Sequence, residues 1–143
     1  METDLAVARA LEQVIGWIRE SRDVTGISAS ALSALIRLDA LGSLRITELA
    51  EREQLTQPGM TTLINRLEDA GYAIREADPA DGRAVRVTIT PAGAARVVAH
   101  RDSRAAIIRE RIDELSAEDQ AALAAAVPAL RNFVVEPASR IKR

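Results

Sequence analysis

Cysteine is absent from the 143 residues, which excludes disulfides, thiolate metal sites, cysteine nucleophiles and thiol-based redox sensing together. Histidine occurs once, at His100, and there is neither a phosphate-binding glycine loop nor a His-rich metal spacing. Nearby carboxylates do not repair that deficit. Asp113 and Glu114 point to different sides of a helix, and Glu118 and Asp119 read as first-turn acids favoured by the helix dipole. Enzymatic chemistry is therefore poorly supported, and no cofactor or metal is expected. No apolar run approaches the roughly 20 residues that a bilayer span needs. The start, Met1-Glu-Thr-Asp, is acidic and lacks the basic start and apolar stretch of a secretory signal. The expectation is a cytoplasmic protein without a membrane partner. Lysine is nearly missing too: eighteen of the nineteen basic residues are Arg, Lys142 being the exception. Arginine suits planar bidentate contacts to phosphate and guanine. Beside 27 alanines, however, biased codon usage explains most of the excess.

What is present is 48% apolar and 28% charged residues, the composition of a globule, in a length that predicts one folding unit. Net charge is only −2, so any contact with nucleic acid must depend on where charge lies rather than on its total.

Near the N-terminus, Leu5, Ala8, Leu11, Ile15 and Ile18 mark one helical stripe, while Val7, Ala10, Val14 and Trp17 mark another. Positions 5 and 7 lie about 200° apart on a helix, so the stripes occupy nearly opposite sides. One monomer can hardly bury both. Burial against a second subunit is the favoured reading, and a wholly internal helix is the competing one. Trp17, the single tryptophan, fits core or dimer packing better than the wall of a ligand cleft.

A second helix is predicted from about Ser28 to Leu41, with Leu32, Leu35, Ile36 and Leu38 inward and Gly42 closing it as a left-handed residue. A third, about Ile46 to Glu53, has Ile46, Leu49 and Ala50 as its apolar face. Only Gln54 to Thr56 separate it from the next, a gap that fits a helix-turn-helix as well as any other compact helix pair.

The fourth helix has Thr56 as N-cap, and Pro58 is tolerated in its first turn. Met60, Leu63, Ile64 and Leu67 form its inward face. Opposite lie Pro58, Thr61, Thr62, Asn65 and Arg66, with Gln57 at the leading edge and no carboxylate before Glu68 and Asp69. An ordinary solvated face would more usually mix Glu and Lys. A helix entering a DNA groove N-terminus first would keep its acidic end away from phosphates.

Gly71 ends that helix. Tyr72 to Ala77 and Arg83 to Thr90 then read as strands, with Val85, Val87 and Ile89 on one face and Ala84, Arg86 and Thr88 on the other. The connecting Asp78-Pro-Ala-Asp-Gly-Arg has the residues of a hairpin tip. Asp81 is placed to pair with Arg83 and hold the loop while Arg83 points outward, a side chain suited to a narrow minor groove. Thr90-Pro91 restarts helix, which runs to about Leu115 with Val97, Val98, Ala105, Ile108, Ile112 and Leu115 along one side and Arg101 interrupting them. His100 reads as a structural or solvent-facing residue of this helix, with effector contact the minor alternative. Ser116 caps a sixth helix carrying Leu123, Val127, Leu130 and Val134, in which Pro128 should introduce a kink.

The run Ile46-Thr-Glu-Leu-Ala, then Gln57-Pro-Gly-Met-Thr-Thr-Leu-Ile-Asn-Arg-Leu-Glu-Asp-Ala-Gly-Tyr, then Asp78-Pro-Ala-Asp-Gly-Arg-Ala-Val-Arg-Val-Thr-Ile-Thr-Pro-Ala-Gly, resembles the MarR family of bacterial transcriptional regulators. The likeness covers nearly the whole chain and is most specific from the wing into Thr90-Pro-Ala-Gly. It implies a mainly α fold with a small β wing: a winged helix-turn-helix over 28–90, flanked by N- and C-terminal dimerisation helices over 1–27 and 91–143. It further implies a homodimeric repressor on double-stranded DNA, with the helix from Gln57 in the major groove and Arg83 at the minor groove. Small aromatic or anionic effectors, bound between the dimerisation and DNA-binding parts, would release it.

Two positions depart from that pattern. Gly82 stands where a basic tip residue is usual. Arg45 stands where a capping Thr is common, which adds a phosphate contact and leaves capping to Ser43 or Thr47. From Leu41 to Arg96 there are seven Arg against eight acids, so affinity must rest on arrangement. The expected DNA-facing set is Arg45, Thr56, Gln57, Thr61, Thr62, Asn65, Arg66, Asp81, Arg83 and Arg86. The competing reading is a winged-helix module that binds protein and not specific DNA.

Overall fold

The computed structural model describes residues 2–21 and 26–134; the outer ends of both expected dimerisation segments, and residues 22–25, lie outside them. Among the described residues, six helices and three strands follow in the order α1 (Glu2–Glu20), α2 (Ala29–Leu41), β1 (Leu44–Arg45), α3 (Ile46–Arg52), α4 (Gln57–Asp69), β2 (Ala73–Ala77), β3 (Val85–Ile89), α5 (Pro91–Asp113) and α6 (Ala117–Val134). They divide into two compact units, Met1–Arg104 and Ala105–Arg143. Among the described residues, no helix is long and apolar enough to cross a membrane.

In the first unit, short-range chemistry sets the helix ends. Ser28 Oγ accepts the Ala31 N–H at 3.2 Å at the head of α2, and Gly42, at φ 79°, donates its N–H to the Leu38 carbonyl at 2.9 Å. Both satisfy backbone groups that a helix end leaves orphaned. The core lies where α2, α3, α4 and the sheet meet. Leu35 and Leu38 of α2, Leu49 of α3, Met60, Ile64 and Leu67 of α4, Val87 of β3 and Val97 of α5 are all fully buried.

The antiparallel sheet has the order β1-β3-β2. Two-residue β1 was not anticipated from sequence, being too short to show alternation. It pairs Leu44 with Val87 and Arg45 with Arg86. The β2–β3 hairpin runs from Ala73↔Ile89 to Ala77↔Val85, two residues shorter at its tip than the expected second strand, because Arg83 and Ala84 belong to the turn.

The α1 helix buries none of its residues: Leu5 and Val7, one from each stripe, are 53% and 54% exposed. The internal-helix reading therefore fails within one chain, and Trp17 does not belong to the chain's own core. His100 is 5% exposed, so it is a buried residue of α5 and not a solvent-facing one.

The second unit comprises α5 from Ala105 onward and α6. Ser116 Oγ accepts the Asp119 N–H at 3.1 Å, as expected of a cap. α6 continues through Pro128 to Val134 and buries none of its residues; Leu123, Val127, Leu130 and Val134 are all exposed.

Candidate nucleic-acid interface

The turn between α3 and α4 is tight because Leu55 N–H returns to the Ala50 carbonyl at 2.9 Å while Gln54 takes φ 55°, the left-handed region. Thr56 then caps α4, its Oγ1 accepting the Gly59 N–H at 3.2 Å. Thr56, expected both as this cap and among the DNA-facing residues, is exposed, and its hydroxyl starts the helix as expected. At the head of α3 neither Ser43 nor Thr47 caps. Arg45 occupies the cap position, and since a guanidinium cannot accept a hydrogen bond, the helix end is closed by Glu48, whose Oε2 accepts the Arg45 N–H at 2.9 Å.

On α4, Met60, Leu63, Ile64 and Leu67 are buried, and Gln57, Thr61, Thr62, Asn65 and Arg66 are exposed. Two of those polar groups are already engaged. Thr62 Oγ1 donates to the Pro58 carbonyl at 3.0 Å, leaving its lone pairs outward, and Asn65 Oδ1 accepts from Arg75 at 2.7 Å. Arg75 also pairs with Glu68, so the nearer of the two carboxylates at the end of α4 is neutralised from the wing side.

The wing tip is held by carboxylates on backbone N–H groups. Asp78 Oδ1 accepts from Ala80 at 2.9 Å, Asp81 Oδ1 accepts from Arg83 at 3.1 Å, and Asp78 N–H and Ala84 N–H close the turn at 2.9 Å each. Asp81 thus holds the loop through the Arg83 backbone, not through the side-chain pair expected from sequence. Among the described residues the guanidinium groups of exposed Arg83 and Arg66 make no hydrogen bond or ion pair.

Arg45 and Arg86 are differently placed. Both face Asp78, whose side chain is only 1% exposed: Arg45 Nε donates to Oδ2 at 2.7 Å, and Arg86 Nη1 lies 3.6 Å from the same oxygen. Arg86 also donates to Ser43 through Nε, at 3.2 Å to Oγ, and through Nη2 to the carbonyl. A buried carboxylate is tolerable only when so compensated. The Ala80 N–H first, and the Arg45 hydrogen bond second, hold the Asp78 carboxyl below its ordinary value, while the same bond raises Arg45. Arg45 and Arg86, expected as phosphate contacts, therefore first serve as the internal brace of the wing.

Asp78, Arg75, Glu68 and Ser43 carried no functional reading from sequence, although Arg75 gave a signal. It shares the inward side of β2 with buried Ala73, and a charge on that side of a strand needs a partner. A depressed folded-state pKa contributes stability that is present above the unfolded value, about 3.9, and lost as pH falls through the folded value. Thermal melts between pH 3 and 7 should accordingly show Asp78→Asn less stable than wild type at neutrality and flatter in its acid dependence below about pH 4. Parallel curves for the two proteins would reject the brace.

Residues 27–85, the helix-turn-helix and most of the wing, match the model of the MarR family. The chain is 36% identical to an HTH-type transcriptional regulator of Mycobacterium leprae, over 82% of this chain and 79% of that one. It is 33% identical to another from Mycobacterium bovis, over 94% and 92%. Among solved structures, a transcriptional regulator from Thermotoga maritima superposes with a TM-score of 0.79 at 26% identity, covering 90% of this chain and 94% of that one. A point mutant of Staphylococcus aureus MepR bound to an oligodeoxyribonucleotide shares the fold at a TM-score of 0.69 and 18% identity, over 90% and 98%. Together with the buried and exposed faces of α4 and the carboxylate-braced wing, these similarities establish that the chain belongs to the MarR family and is a winged-helix transcriptional regulator.

Proposed function

We propose that the chain binds pseudo-palindromic double-stranded DNA as a homodimer in the cytoplasm and represses transcription, with a small aromatic or anionic effector releasing it. The observation that carries this reading is the exposed polar row of α4, Gln57 to Arg66, free of carboxylates and standing on the side opposite the buried face. The MepR mutant, of the same fold, is itself seen with DNA, which supports the assignment. Two copies of α4 would enter successive major grooves about 10 base pairs apart. Gln57, Thr61, Thr62 and Asn65 would read bases. Arg66 and Arg83, without protein partners among the described residues, would be the first to meet phosphate or minor groove, and Arg45 and Arg86 would join from the braced base of the wing.

Fluorescence anisotropy with duplexes selected from genomic DNA tests this directly. Arg83→Ala should weaken binding about tenfold while preserving base preference, whereas Asn65→Ala should change which bases are preferred at one position of each half-site. Unchanged affinity and preference in both variants would reject the interface. The net charge of −2 is the feature that favours a protein-binding module instead. A salt titration separates the two, since phosphate neutralisation makes affinity for duplex DNA fall steeply as salt rises.

A further inference from the structure

We propose that Arg75 of β2 is a positioning residue that sets which edge of the Asn65 amide α4 presents, so that Asn65 reads hydrogen-bond acceptors, on guanine or thymine, in preference to adenine. This rests on the major-groove reading of α4 proposed above.

Arg75 is held along its whole length. Glu68 Oε1 accepts its backbone N–H at 2.9 Å, and Glu68 Oε2 pairs with Nη1. The other terminal nitrogen, Nη2, donates to Asn65 Oδ1 at 2.7 Å and lies 3.5 Å from the Thr61 carbonyl. Glu68 sits one turn beyond Asn65 on the same helix, so the carboxylate that fixes the guanidinium also aims it at the amide. A guanidinium has donors only, so the amide atom facing it must be oxygen; the flipped amide would oppose N–H to N–H. The Asn65 NH2 group is thereby turned away from Arg75, on an exposed residue of the polar row.

The usual bidentate contact of asparagine with adenine needs both halves of the amide, oxygen accepting from N6 and nitrogen donating to N7. Here one lone pair of the oxygen already takes a charged donor, and a second donor approaching it meets the positive field of the guanidinium. The same field draws electron density through the amide and strengthens the NH2 as a donor. Guanine O6 and N7, or thymine O4, complement that donor edge.

The test is selection of binding sites from a random duplex library by the full chain, by Asn65→Ala and by two Arg75 variants. Arg75→Met removes the donors. Arg75→Leu removes them in a side chain of different shape, so an effect common to both variants belongs to the lost donors and not to one replacement. Wild type should select guanine or thymine at the position whose preference is lost in Asn65→Ala. Both Arg75 variants should raise adenine there by about tenfold relative to guanine, with the other positions unchanged. Three results would overturn the proposal while leaving the groove reading intact. These are a wild-type preference for adenine at that position, an identical preference in wild type and both variants, and a uniform weakening across all positions. An unchanged motif with a salt slope smaller by about one per site would likewise overturn it, making Arg75 a phosphate ligand. Failure of wild type to select any motif would instead sink the groove reading itself.

Discussion

Gly93→Ala is expected to lower the thermal midpoint by roughly 10 °C, corresponding to about 3 kcal/mol, at or beyond the upper end of ordinary overpacking. A Cβ at position 93 would stand 2.1 Å from the Tyr72 carbonyl oxygen, 3.0 Å from its carbon and 2.8 Å from Ile89 Cγ1. The obstacle is backbone, and it is held from both sides. The Tyr72 carbonyl accepts the Thr90 N–H at 3.0 Å, while Thr90 Oγ1 donates to the Gly71 carbonyl at 2.6 Å and accepts the Gly93 N–H at 3.1 Å. Thr90-Pro-Ala-Gly is thus one device: Thr90 caps α5 and ties it to the end of α4, and Gly93 lets the first turn of α5 lie against that tie. Gly82→Ala is the control, since nothing lies within 4 Å of its added Cβ; its stability should stay within about 0.5 kcal/mol of wild type. Equal midpoints for Gly93→Ala and wild type would show that α5 does not pack so closely on Tyr72.

If the chain acts as the proposed homodimer, deleting residues 1–18 is expected to abolish that dimer and with it operator binding, by a factor of about 10³ or more, the usual gap between specific and non-specific affinity. Within the described chain α1 buries none of its residues, and Leu5, Ile15, Val7, Val14 and Trp17, from both apolar stripes, are exposed. Contiguous apolar surface on that scale marks an interface. A protein whose operator comprises two half-sites loses most of its affinity when the halves are no longer linked. Sedimentation should show monomers or aggregates, and anisotropy should show only weak, salt-sensitive binding. A well-folded dimer after this truncation would refute the argument from the two-sided helix.

Much of the fold was legible because it is written in short-range chemistry. Ser28, Thr56, Thr90 and Ser116 each accept a backbone N–H three residues on, and Gly42 and Gly71 take the positive φ that ends a helix or begins a turn. The inward row Met60, Leu63, Ile64, Leu67 follows from helical spacing alone, and it in turn places Thr61, Asn65 and Arg66 outside. Strand β1 escaped notice because two residues hold no periodicity; pairing with Val87 and Arg86 of β3, far along the chain, makes it a strand.

The candidate site was legible only as an inventory. Eighteen arginines look alike in a sequence, and so do the amide and hydroxyls of a polar helix face. What distinguishes them is long-range pairing. Asp78 recruits Arg45 from 33 residues away, Ser43 engages Arg86 from 43, and Arg75 takes the oxygen of Asn65 across 10. Those bonds divide the arginines into ones that build the wing and ones left to meet a partner.

From its residues alone the chain determined its helices, the caps of all but α3, the turn of the hairpin and the exposed polar row, because each depends on groups close together along the chain. The three-dimensional packing decided which charges are satisfied inside the protein and which edge of Asn65 faces outward. A hydrogen-bonding side chain takes whichever partner the fold brings to it, and for Arg45, Arg75 and Arg86 that partner lies 33, 10 and 43 residues away along the chain.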